Sequence, residues 1–175
     1  MTTSVRGIAI WCGVIAVVVI LLVSAAILFP VFTTGHNPNP TRRHIKLLGL
    51  AMLMYAEDHD NRLPLSANWM DSTFAYNKNE DTLHDPSLDD KNAYGFAFFA
   101  PLSAIDLESV KNQDSVPMIY QSTQMQKNAS GDLSDTRFSD DPQGGVYLVF
   151  TSGHAPFMRR EHFLKLVEES RDLLK

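Results

Sequence analysis

Four groups of side chains in this 175-residue chain are of types that can do chemistry. The densest is acidic: Asp132, Asp135, Asp140 and Asp141 crowd into a loop rich in glycine and serine. Carboxylates on such a loop are hard oxygen donors of the kind that hold Ca²⁺. Their spacing is not that of an EF-hand, so the competing reading is a solvated acidic loop. Asp58, His59, Asp60 and Asn61 form a second polar run, which is either a constellation or the end of a helix and the start of a turn. His154 follows Gly153. A histidine there can hold a metal or act as a base, but it has no partner at H-x₃-H or HExxH spacing, so a plain hairpin residue is the alternative. Cys12 is the one cysteine and lies in an apolar run. It leaves the chain without an intrachain disulfide or a cysteine-based metal site. No serine stands in a GxSxG setting, no glycine-rich loop fits a phosphate, and no paired carboxylates stand out. These residues predict a protein that is not an enzyme and has no cofactor, Ca²⁺ being the one ion for which donors are present.

The elements that must position these groups follow from charge and hydropathy. Arg6 is the only charged side chain before Arg42, and every acidic residue lies beyond that point. The C-terminal part is therefore acidic, with no basic stripe interleaved with aromatics. That argues against nucleic acid as a partner, since phosphate binding needs a basic face. Residues 7–29 are uncharged and mostly apolar. At 1.5 Å per residue they are long enough to cross a hydrocarbon core of roughly 30 Å, which predicts a transmembrane helix in a lipid bilayer. Trp11 near one end suits an interfacial aromatic. The rival is a cleaved signal peptide, with Arg6 as its basic region and Val23-Ser24-Ala25 as its cut. The run exceeds the usual apolar region of about 7–15 residues and continues through Ile27–Phe32, which favours a retained anchor. Arg6 and the α-amine on one side, against Arg42, Arg43 and Lys46 on the other, lean towards a cytoplasmic head. Those three bases lie well past the span, where they can meet lipid headgroups instead.

Beyond the apolar run, Gly35, Pro38 and Pro40 mark a neck over 30–40. Thr41 is placed to cap a helix reaching about Asp58. Its apolar residues fall on nearly every side: Ile45, Leu48, Met52 and Tyr55 on one face, Leu47, Leu50, Ala51 and Met54 elsewhere. A helix of that kind must be covered on most sides. Residues 61–90 read as loop, anchored by Leu63, Leu65, Trp69, Phe74 and Tyr76. Strands are expected at Tyr94–Ala100, Val116–Ser122, Gly145–Ser152 and Ala155–Arg159, with Pro117 at an edge or a strand start. A polar loop fills 123–143, and an amphipathic helix closes the chain at Arg160–Leu174 with Phe163, Leu166, Val167 and Leu174 inward. The expected fold class is α+β: a transmembrane helix, then a spine helix on a small antiparallel sheet, then a C-terminal amphipathic helix. The domain plan is 1–6 tail, 7–29 span, 30–40 neck and 41–175 soluble head.

The runs AAILFPVF (25–32), LGLAMLMYAEDHDNRLP (48–64), LHDPSLDDKNAYGFAFF (83–99), SVPMIYQS (115–122) and GGVYLVFTSGHAPFM (144–158) share the order and spacing of a known group. The chain resembles the type II secretion pseudopilin-like proteins of planctomycete-like bacteria, with a prepilin-type N-terminus and a pilin-like head. The resemblance implies a membrane-anchored structural or assembly subunit. It implies a head outside the cytoplasmic membrane, and as partners other pseudopilin subunits or inner-membrane secretion proteins. It also implies processing by prepilin peptidase between Gly7 and Ile8, and it gives the acidic loop a precedent in pseudopilins that hold calcium. The N-terminal motif is degenerate, since Cys12 or Gly13 stands where the group carries a Glu. That departure implies a tip or minor subunit, or else a single-pass protein whose extracytoplasmic head binds a ligand or Ca²⁺ and never enters a filament.

Overall fold

The computed structural model describes residues 15, 17–20, 39–140 and 144–173. The chain divides into two compact units, Met1–Asn37 and Pro38–Lys175, with the division inside the expected neck. In the first unit Ile15 and the residues 17–20 are helical and exposed. Most of the expected span at 7–29, and the processing pair Gly7 and Ile8, lie outside the described residues.

The second unit begins with helix α1 (Pro40–Asp58). Asn39, not Thr41, is its cap: the Asn39 side chain accepts from the Thr41 backbone N–H at 2.9 Å. Pro40 follows in the first turn, where its fixed φ suits the helix and its missing N–H costs nothing. Asp60 and Asn61, with φ of 53° and 59°, turn the chain out of the helix. Thr41, Ile45, Leu48, Met52 and Ala56 are buried. They recur at spacings of three and four, so they share one face. Gly49 lies on that side as well. A Cβ there would come within 2.6 Å of the Val149 Cγ2, so the absent side chain lets α1 lie directly on the sheet.

Residues 61–90, expected as loop, hold a second helix, α2 (Trp69–Asn77). Trp69 is fully buried and its indole N–H donates to the Ala129 carbonyl at 2.9 Å. Leu63 is buried as expected, whereas Leu65 and Phe74 are exposed. The sheet has five strands in the order β3-β1-β2-β4-β5: β1 (Phe96–Phe99), β2 (Pro117–Gln121), β3 (Ser130–Gly131), β4 (Gly145–Phe150) and β5 (Phe157–Arg159). Pro117 opens a central strand, at a bulge where its missing N–H is tolerated. Register pairs Phe98 with Ile119 and Ile119 with Val149. Alternation along β2 then puts Ile119 and Gln121 on one face and Tyr120 on the other. The last helix, α3 (Arg160–Leu173), buries Phe163 and Leu166.

The expected fold class needs correction. The sheet is mixed rather than antiparallel, because β3 joins β1 in parallel through Phe98–Ser130 and Phe99–Gly131. Two residues in a polar loop carry no strand periodicity, so sequence had no handle on this edge. Among the described residues no helix is long and apolar enough to cross a membrane, and the α+β class stands without a transmembrane helix. The cover expected around α1 is also incomplete: Leu50 is 52% and Met54 41% exposed.

Candidate functional site

Two carboxylates, the buried Asp85 and the half-buried Asp135, organise the interior, one on each side of the end of β2. Asp85 has a fully buried side chain. Its Oδ1 accepts from the Thr41 hydroxyl at 2.9 Å, the Ser87 backbone N–H at 3.0 Å and the Ser87 hydroxyl at 2.8 Å. Its Oδ2 accepts from the Gln121 amide at 2.7 Å and from the Arg137 guanidinium, with which it forms an ion pair. Gln121 in turn accepts from the Tyr147 backbone N–H at 2.8 Å. This one carboxylate therefore ties the first turn of α1 to β2, β4 and the loop after β3. A buried charge needs this saturation, because an unpaired one would be costly away from water.

Asp135 serves the other face. It accepts from the Tyr120 hydroxyl at 2.7 Å, from the Gln124 amide at 2.8 Å and from the Ser122 hydroxyl. Tyr120 and Ser122 are two apart on the strand, so both side chains leave the same side. Gly131 makes the contact possible: a Cβ there would sit 2.7 Å from both the Tyr120 hydroxyl and Asp135 Oδ1. Burial above all, then the hydrogen bond to Asp135 and its charge, hold the Tyr120 phenol well above its usual range. The sequence singles out Asp135 as a Ca²⁺ donor and not as the acceptor for Tyr120 and Ser122, and it does not single out Asp85 as an anchor. The readable signals were Asp85-Pro86-Ser87, an Asp-led turn, and the polar Gln121-Ser122 pair closing an apolar strand.

The expected sites are dispersed or spent. Of the acidic loop, Asp135 points inward as described. Asp132 holds the Ser134 backbone N–H at 3.1 Å and hydroxyl at 2.5 Å, Asp140 is exposed, and Asp141 lies outside the described residues. Among the described residues no group of three or more acidic, histidine or cysteine side chains is placed to hold a metal ion. Asp58 accepts from the Tyr76 hydroxyl at 2.8 Å. His59 stacks on Tyr55 with centroids 3.8 Å apart, its Nδ1 2.8 Å from the Tyr55 carbonyl, which can only accept. The Asp58–Asn61 run is thus a helix exit. His154 lies parallel to Phe150 at 6.4 Å, in the turn where the Phe150 N–H reaches the His154 carbonyl at 2.9 Å. It is a hairpin residue.

What is left open is the outer side of α1. A groove of about 430 Å³ runs along it, floored by Leu47, Leu50 and Leu53, rimmed by Arg42, Arg43 and Lys46, and closed by Gly153. Gly153 has a φ of +83°, and its hairpin abuts Leu53, to which an added Cβ would stand 3.0 Å away. Arg42 is held at the rim, its Nε donating to the Ala155 carbonyl at 3.0 Å. Among the described residues the ion pairs are Asp71–Lys127 and Asp85–Arg137, so Arg43 and Lys46 carry no acidic partner there. An apolar floor with a cationic rim suits an amphipathic, acidic surface. Comparison of the chain with protein-family models, with curated proteins and with solved structures finds no match in any of the three.

Proposed function

We propose that this protein is an assembly subunit of the pseudopilin-like kind, belonging with type II secretion or type IV pilus machinery. In this reading its head works outside the cytoplasm, through contact with other proteins and not through turnover. The observation that carries the reading is the outer side of α1. A helix that buries one apolar face completely keeps Leu50 and Met54 exposed on another, and Leu50 lies beside Arg43 and Lys46, which have no acidic partner among the described residues. Exposed apolar surface with a polar rim is a mark of protein contact sites. These two carboxylates support the same reading, because Asp85 and Asp135 have their oxygens committed to holding the fold. The alternative, a ligand- or Ca²⁺-binding head, loses its chief donor when Asp135 turns inward.

The test is the intact mass and N-terminal residue of the protein purified from its native cells. The expected result is a chain that starts at Ile8, the product of prepilin peptidase acting after Gly7. A chain that keeps Met1 or Thr2 would overturn the secretion-type reading.

A further inference from the structure

The groove on α1 has a shape and a charge, and the same chain carries its complement. On α3, Phe163 and Leu166 are buried, while Glu161, Leu164 and Glu168 are exposed, Leu164 at 56%. Glu161 and Glu168 lie three before and four after Leu164, and four before and three after the exposed Lys165, so leucine and lysine flank the line of the two carboxylates on one face of the helix. The row is two carboxylates with a leucine on one flank and a lysine on the other. The groove is three leucines beside two arginines and a lysine. On its leucine flank the row presents carboxylates opposite in charge to the groove's bases and an apolar side chain like those of its floor.

We infer that the α1 groove of one copy takes the Glu161–Leu164–Glu168 row of a second copy, an interface that rests on the assembly reading. Leu164 sits on Leu47, Leu50 and Leu53, and the two glutamates face Arg43 and Lys46. Groove and row are different surfaces of one chain, so the contact is heterologous. It leaves a free groove at one end and a free row at the other, and copies add head to tail. One leucine key falls far short of the roughly 800 Å² per partner of a stable complex. The contact is therefore weak for an isolated pair and effective where copies are held close together. Complementary charge sets the direction: groove against groove brings bases together, and row against row brings carboxylates together.

Directional cross-linking of the full chain tests this. Cys12→Ser removes the native thiol. Leu50→Cys copies are mixed with Leu164→Cys copies of distinguishable mass and oxidised at rising concentration. Both positions are more than half exposed, so the variants keep the fold. The expected product is a disulfide between the two kinds of copy, with little from either alone. Adding Arg43→Glu and Lys46→Glu to the groove copy should cut the yield about tenfold, since like charges then oppose. Adding Glu161→Lys and Glu168→Lys to the row copy should restore it. No mixed product, equal product from copies of one kind, or indifference to charge reversal would each overturn the interface. So would groove-dependent retention on anionic lipid vesicles or on an acidic amphipathic peptide without the mixed disulfide, which would give the groove a different occupant. The N-terminal measurement separates the two claims: a chain starting at Ile8 with no mixed disulfide removes this interface and leaves the assembly reading, and a full-length N-terminus with a mixed disulfide does the reverse.

Discussion

Helix α1 has two leucine-bearing sides, one against the sheet and one exposed. On the inner side Ile45, Leu48 and Met52 have no exposure, and Gly49 brings the backbone down onto Val149. On the outer side Leu50 and Met54 are 52% and 41% exposed, with bases along the same edge. Hydropathy alone does not separate Leu48 from Leu50. The sheet does, by offering the helix a single flat surface. The inner side stabilises the fold, at about 1.5–3 kcal/mol per fully buried side chain of this size. The outer side, exposed among the described residues, contributes little to the fold.

The hardest test of the inner side is at its first turn. Asp85→Ala removes the acceptor shared by Thr41, Gln121 and Arg137, and leaves the guanidinium of Arg137 without its counter-ion. Removing one member of a buried ion pair typically costs about 3–5 kcal/mol. The 22% exposure of the Arg137 side chain allows partial rehydration, which places the expected loss at the lower end. Urea unfolding of the variant should show it as a fall in midpoint with little change in slope. An unchanged midpoint would mean that the clasp is not what seats α1 on the sheet.

Leu48→Ala comes next. It is expected to lose about 2–5 kcal/mol by removing buried methyl groups and leaving a cavity. If thermal or urea unfolding shows a loss as small as that of an exposed position, the contrast between the two sides of α1 fails.

Much of this was legible in the sequence. Strands β1, β2, β4 and β5 fall where alternating and aromatic runs place them, because a buried strand needs those side chains whatever its neighbours, whereas β3 lies in a polar loop without such a run. The spine helix and the closing helix were readable from their period. Helix α2 was not: WMDSTFAYN is nine residues long and has no clean period, and it forms because Trp69 and Met70 are buried from outside. The exposure of Leu50 was hidden for a related reason. Apolar residues all round a helix predict cover on most sides, but only the assembled sheet shows which sides lack it. The Asp85 and Asp135 stations join residues up to 52 apart in sequence, and no local pattern encodes such distant pairing.

A smaller effect is expected on the far side of the sheet, where α1 has no part. Tyr120→Phe removes the hydroxyl that donates to Asp135 and should cost about 1.5–3 kcal/mol, the range for a hydrogen bond to a charged group. The pH dependence identifies the cause. The folded phenol is held above its ordinary range, so its contribution is fully present below about pH 10, where the unfolded tyrosine is still protonated. Above that, the unfolded chain loses a proton that the folded chain retains, and wild-type stability falls by up to about 1.4 kcal/mol per pH unit from this group. The gap between wild type and variant should therefore close as pH rises beyond 10. A gap constant to pH 11 would assign the loss to packing instead.

The smallest expected effect is the most informative for the outer side. Leu50→Ala removes a side chain that is already half in water, so its effect on stability should lie within about 0.5 kcal/mol of zero. Measured beside Leu48→Ala by the same unfolding curve, it compares one residue type two positions apart on one helix. A loss of several kcal/mol would mean that Leu50 is covered in the intact protein and that the groove is part of the core. A near-zero loss leaves Leu50 with an apolar side chain that the fold does not need. Self-association is then the property that should change, with copies carrying Leu50→Ala sedimenting closer to monomer at concentrations where wild type does not.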